Sequence, residues 1–142
     1  TASDKEILLA PEVSETEKQT LVLARRGQGL FRNRVRVFEP QCRVTGVGSD
    51  QLLIASHIKP WSVASNEERL DGNNGLFLSP HIDKLFDAGF ITFSGKGNIE
   101  VSEKLDKDVL PKWSIDPGRN VGHFSKDQAF FLEYHEAHVL QR

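Results

Sequence analysis

The chain has 142 residues, a formal net charge of -2 and one cysteine, Cys42. That length fits one domain, and a single thiol excludes an intramolecular disulfide and a thiolate-only zinc knuckle, leaving a reducing cytoplasm as the default compartment. With 38% hydrophobic and 27% charged residues the composition is that of an ordinary soluble protein, and no run approaches the roughly 18 apolar residues of a membrane span.

In chain order, residues 1 to about 14 are polar with scattered apolar positions and suggest an arm or short helix. No charged-then-apolar signal segment opens the chain, and Thr1 in place of Met suggests a processed chain or an excised domain. Ser14 followed by Glu17 resembles a capping box, and Leu21 to Ala24 give the helix that follows a short apolar face. Gly27-Gln28-Gly29 is expected to interrupt it. A second helix is expected over Phe31 to Phe38, where Phe31, Val35 and Phe38 share one face and Pro40 ends the run.

A turn-rich link, Thr45 to Asp50, leads to a strand over Gln51 to Ile58. Lys59 to Asn73 carries Pro60, Ser62, Ser65, Asn66, Asp71 and Gly72 and is expected to be a long loop, which compact domains rarely keep without a use. Gly75 to Leu78 is a second short strand. Ser79-Pro80 opens a helix that Gly89 closes, Ser as cap and Pro at the first helical position. Ser94-Gly95-Lys96-Gly97 turns a second hairpin between Phe90–Phe93 and Asn98–Val101. Pro111 to Gly122 is irregular, and Ser125 with Gln128 starts a last helix.

The arginines are unevenly placed. Arg25, Arg26, Arg32, Arg34, Arg36 and Arg43 fall in a segment whose only acid is Glu39, while acids gather at the amino end and between Glu100 and Asp108. Such a stripe binds phosphates even when the total charge is slightly negative; the plainer reading is a solvated helix face.

Chemistry concentrates in the centre. In the helix Pro80 to Ala88, Ile82, Leu85 and Phe86 share the packed face. Asp83 and Asp87, four apart, stack on the adjoining flank. Two like charges at that spacing repel, and Asp87 sits where the helix dipole disfavours an anion, so a divalent cation would relieve both. Two acids at this spacing are also compatible with an exposed helix end. His81 lies on the opposite flank of a regular helix. His57 ends a strand, where an imidazole serves as general base or as a structural residue. Asn74 is either a turn residue or an amide that bonds loop backbone and fixes His57.

Taken together, Ser56-His57-Ile58-Lys59-Pro60, Asn74-Gly75 and Leu85-Phe86-Asp87-Ala88-Gly89 resemble the HNH endonuclease family, in particular its cysteine-free subgroup found in bacterial restriction-type proteins. Gly27-Gln28-Gly29-Leu30-Phe31-Arg32, Cys42-Arg43-Val44-Thr45-Gly46 and Phe131-Leu132-Glu133-Tyr134-His135 are similar as well, so the resemblance spans most of the chain after about residue 24. It implies an α+β fold: a ββα-metal core of hairpin plus short helix, with flanking helices and an additional hairpin. Residues 1–24 would be an arm or helix and residues 25–142 the nuclease domain.

By the same resemblance His57 matches the general base and Asn74 the asparagine that holds the loop. The third motif position falls on Asp83 where the family usually has histidine, and the second helical ligand on Asp87. His81, two residues early, is a further candidate ligand. Ser56 stands where many members carry an acid or histidine. The implied reaction is hydrolysis of DNA phosphodiesters with one divalent ion, magnesium or manganese first, with nickel, cobalt or zinc as alternatives, leaving a 5′-phosphate and a 3′-hydroxyl. Arg32, Arg36, Lys59 and Lys84 are the candidate phosphate contacts. DNA is the expected partner and no membrane is. A homodimer and a separate target-recognition domain are compatible with the reading, since nothing resembles a base-reading module. The alternative is a non-catalytic nucleic-acid-binding module on the same scaffold.

Overall fold

The structure, a computed structural model, describes residues 14–142, so the expected arm over residues 1–13 lies outside the described residues. Helix α1 spans Glu15–Phe38, and the Ser14 hydroxyl caps it by accepting the Glu17 N–H at 3.2 Å. The expected break at Gly27-Gln28-Gly29 does not occur. Each glycine costs roughly 1 kcal/mol relative to alanine in a helix interior. Burial of Val22, Phe31 and Val35 returns more, about 1.5–3 kcal/mol for each large side chain, so packing overrides local propensity.

Strand β1 (Ile54–His57) pairs antiparallel with β2 (Gly75–Leu78), His57 opposite Gly75 and Ser56 opposite Leu76. The expected strand over Gln51 to Ile58 is shortened, because Asp50–Leu52 forms a 3-10 turn. The segment 59–73 is not the structureless loop expected. It holds a 3-10 turn at Trp61–Val63, helix α2 (Asn66–Leu70) and a 3-10 turn that ends on Asn74. Helix α2 has a full capping box: Ser65 accepts from the Glu68 N–H and the Glu68 carboxylate accepts from the Ser65 N–H. That Ser-x-x-Glu signal was present in the sequence, masked by its turn-forming neighbours.

Helix α3 (Pro80–Asp87) buries Ile82, Leu85 and Phe86, as its spacing predicts. Ser79 holds the N-cap position, but its hydroxyl pairs with Thr45 Oγ1 at 2.7 Å instead of capping the helix. Gly89 follows with φ 78°, the left-handed conformation that ends a helix. Strands β3 (Ile91–Phe93) and β4 (Ile99–Val101) form the second hairpin. Helix α4 (Val109–Lys112) is a short turn that runs through Pro111 into the start of the stretch expected to be irregular. Helix α5 (Lys126–His138) starts at the expected Ser125/Gln128 capping box. The α+β class with a ββα core, flanking helices and an additional hairpin is thus the observed architecture.

The ββα hairpin is a middle layer. On one face, α1 presses Phe31 and Val35 against Gly75; a Cβ there would lie 2.6 Å from Phe31 Cζ and closer still to Val35 Cγ2. The opposite face carries α3. All four residues of β2 are therefore buried, where a two-layer hairpin would show alternation. Two polar clasps fasten the remaining elements. Glu39, at the end of α1, is buried and takes Arg43 in a two-pronged ion pair at 2.8 Å, while Gln128 of α5 donates to the same carboxylate at 3.0 Å. His135 of α5 is 1% exposed, lies flat on Phe86 at 3.9 Å, donates from Nε2 to the Phe86 carbonyl at 2.9 Å and accepts the Thr92 hydroxyl at Nδ1.

Two outcomes follow from this packing. Gly75→Ala overfills the contact with Phe31 and Val35 and is expected to lower stability by about 1–3 kcal/mol, read as a shifted urea midpoint. Burial pushes the His135 imidazole down to about 4. The unfolded chain, with an ordinary value near 6.5, takes up that proton first, so stability is full above pH 6.5 and falls as pH drops toward 4. The loss attributable to His135 is ~3 kcal/mol, and a His135→Gln chain should show a flatter pH dependence by that amount.

Candidate active site

His57 ends β1 on the face that meets α1. Its ring lies on Phe31, centroids 3.7 Å apart and planes 5° from parallel. Nε2 is 2.8 Å from the Arg69 carbonyl oxygen. A carbonyl only accepts, so Nε2 carries the hydrogen and the lone pair of the neutral ring is on Nδ1. That carbonyl belongs to the last turn of α2, where helix carbonyls lack an intrahelical partner. Among the described residues Nδ1 makes no hydrogen bond and no buried side-chain nitrogen or oxygen lacks a partner, so Nδ1 reaches solvent. Burial lowers the proton affinity of the ring, with the Arg69 charge adding and the Arg69 carbonyl bond opposing. The imidazole is therefore neutral at pH 7, with one nitrogen anchored and the other open.

Asn74 is 0% exposed and stitches the segment between the strands together. Its Oδ1 accepts the Lys59 N–H at 2.8 Å; its Nδ2 donates to the carbonyls of Glu68 at 3.1 Å and Lys59 at 3.3 Å. Its own carbonyl accepts from Ile58. One amide thus holds the residues just after His57 and the helix that anchors its Nε2.

Ser56, the neighbour of His57, points to the other face. It is buried and close enough to Asp83 of α3 to act on that carboxylate. Asp83 is raised above the ordinary carboxylate range, first by burial and further by the negative charge of Asp87; Ser56 and Lys84 oppose the shift. The charge of Asp87, one turn on, thus acts on the Asp83 carboxylate. His81 does not join them: its ring meets Trp113 edge-on at 5.2 Å. Among the described residues no group of three or more His, Cys, Asp or Glu side chains comes together. The structure therefore divides the expected site, with His57 on the α1 face of the hairpin and the acids on the α3 face.

The four candidate phosphate contacts differ. Arg32 donates to the Leu53 carbonyl at 2.8 Å and to the Asp50 carbonyl, and Arg36 pairs with the Asp50 carboxylate at 2.7 Å. Both also lie over the Phe77 ring. They fasten α1 to the turn before β1. Lys59 pairs with Glu68 at 2.9 Å and sits over Tyr134. Lys84 is exposed on α3 and makes no ion pair among the described residues.

Beside His57, α1, α2 and the turn at Trp61 enclose a cleft of about 330 Å³ lined also by Phe31, Arg69 and Leu70. Nothing in the sequence pattern marks Phe31, Trp61 or Arg69 for the site. Only the capping box at Ser65 could have pointed to the helix that carries Arg69.

Residues 42–94, the segment that holds His57, Asn74, Asp83 and Asp87, match a family model described as HNH endonuclease. No curated protein matches the chain in sequence. Divalent-metal nucleases of DNA are what this family describes in general. Among the described residues no helix is long and apolar enough to cross a membrane.

Asn74→Ala leaves the Lys59 N–H and the Glu68 carbonyl without their buried partner. The expected cost is about 2–3 kcal/mol, with faster amide exchange confined at first to residues 58–70. An NMR titration of the His57 ring should give a midpoint below the ordinary 6.5 of histidine; a value above it would contradict the buried environment described.

Proposed function

We propose that the chain is a metal-dependent DNA endonuclease in which His57 is the general base, and that residues 25–142 act as the nuclease domain of a restriction or defence protein. The single observation that carries this reading is the state of His57: neutral at pH 7, anchored through Nε2, with an open lone pair on Nδ1. A structural histidine with both nitrogens satisfied, as at His135, is the contrast within the same chain.

Nδ1 of His57 takes a proton from the attacking water. Asn74 acts as a positioning residue, holding the chain on both sides of the base. Asp83 and Asp87 would hold the metal, from the α3 face of the hairpin. Their two carboxylates fit magnesium or manganese, which take one or two carboxylates together with waters and substrate phosphate and need no complete protein cage. With His81 turned to Trp113, the donor set is oxygen only, which disfavours nickel, cobalt and zinc. When bound, such an ion supplies positive charge where negative charge develops on the phosphate. Lys84, on the same helix, and the outer edges of Arg32 and Arg36 contact flanking phosphates. A double-strand cut needs two such sites, from a dimer or from successive nicks.

A second reading, a nucleic-acid-binding module without cleavage, is favoured by one observation: serine occupies the strand-end ligand position at residue 56, and among the described residues no group of three or more His, Cys, Asp or Glu side chains comes together beside it.

Supercoiled plasmid with magnesium or manganese separates the two. Wild type should nick or linearise it and EDTA should stop the reaction; His57→Ala should lose about 10²–10⁴-fold in rate with metal affinity retained. Loss of metal binding in His57→Ala would reassign that residue. Asp83→Ala should weaken metal binding by calorimetry, and an unchanged affinity would remove Asp83 from the ligand set. DNA shifted on a gel but uncut in every metal supports the binding module.

A further inference from the structure

The cleft beside His57 is not accounted for by water activation, by the acids or by the phosphate contacts. We propose that it receives an unstacked nucleobase next to the scissile phosphate, with Trp61 as the stacking platform. The preferred substrate then carries an unpaired or extrudable nucleotide at that position. This rests on the nuclease reading above.

Trp61 is 56% exposed although it lies in a folded segment. Its ring is backed by the Arg69 guanidinium, 3.8 Å from the ring centroid. That guanidinium is itself held, donating from Nε to the Trp61 carbonyl at 2.9 Å and from Nη1 to Asn66 Oδ1 at 3.3 Å. The indole is thus pre-oriented on one side, and its exposure must come from the other side and the edges. Leu23 and Leu70 supply apolar walls, Asn66 an amide at the rim, and Arg69 a positive charge whose Nη2 has no hydrogen bond among the described residues. An aromatic face, a polar rim and a cation match a nucleobase carrying its phosphate. The volume, about 330 Å³, lies in the range of small-ligand pockets. His57 lines the same cleft, so a base held there brings its own phosphate near the His57 ring. In a duplex both faces of a base are stacked, so only an unpaired or flipped nucleotide can enter.

The test uses Trp113→Phe, which leaves Trp61 as the only tryptophan, titrated in EDTA with a single-stranded thymidine oligonucleotide and with a duplex of equal length. Saturable quenching of Trp61 by the single strand, weaker with the duplex, is expected. Trp61→Ala should weaken single-strand binding, followed by anisotropy, by about 5- to 150-fold, the effect of one base–aromatic stack; Trp61→Phe should retain most of it. Circular dichroism of each variant excludes unfolding. An oligonucleotide that binds without quenching, does not bind at all, or binds Trp61→Ala as tightly as wild type overturns the inference. Plasmid cleavage without Trp61 quenching sinks the cleft and spares the nuclease; quenching without cleavage in any metal does the reverse.

Discussion

The close approach of α1 to the hairpin at Gly75 is the contact on which the rest of the structure depends. Only a residue without a side chain lets Phe31 and Val35 come down onto β2. Because they do, Phe31 reaches His57 and lies flat against it, and the hairpin is covered on both faces. A four-residue, two-stranded hairpin is marginal alone in water. Between two helices its second strand is buried along its whole length, which holds the hairpin firmly enough to aim a side chain from its end.

That burial also sets the chemistry of His57. The same packing that positions the ring lowers its affinity for a proton, so positioning and neutrality have one cause. The second nitrogen is oriented by a helix-end carbonyl, and that helix is kept in place by the amide of Asn74. The base is therefore specified by three segments distant in sequence: α1, the capped helix α2, and the turn before β2. Position 57 could hold a histidine without any of this and be only a surface residue.

The charges show a similar division. Most of the arginine segment is engaged in fastening the fold: Arg32 and Arg36 to the turn at Asp50, Arg34 to the Leu70 carbonyl, Arg43 to buried Glu39. On the opposite face of the hairpin, Asp83 and Asp87 repel each other beside a buried serine, and no third metal-capable side chain among the described residues shares the position. Arg69 links the two concerns, its carbonyl anchoring His57 and its guanidinium backing Trp61.

The elements whose cues are local were legible in the sequence alone. The α3 face of Ile82, Leu85 and Phe86, the caps at Ser14 and Ser125, the turn at Gly97 and the order of the His57, Asn74 and Asp83 motif all follow from spacing, turn chemistry or motif order over a few residues. Tertiary structure decided what spacing cannot express. The helix continued through Gly27 and Gly29 because burial at Phe31 and Val35 outweighs a local cost. Ser79 hydrogen-bonds Thr45, a partner distant in sequence, and leaves the helix it precedes without a side-chain cap. Ser56 and His57 parted to opposite faces because neighbours on a strand must, and only the arrival of α1 on one side and α3 on the other turned that alternation into a base on one face and a pair of carboxylates on the other.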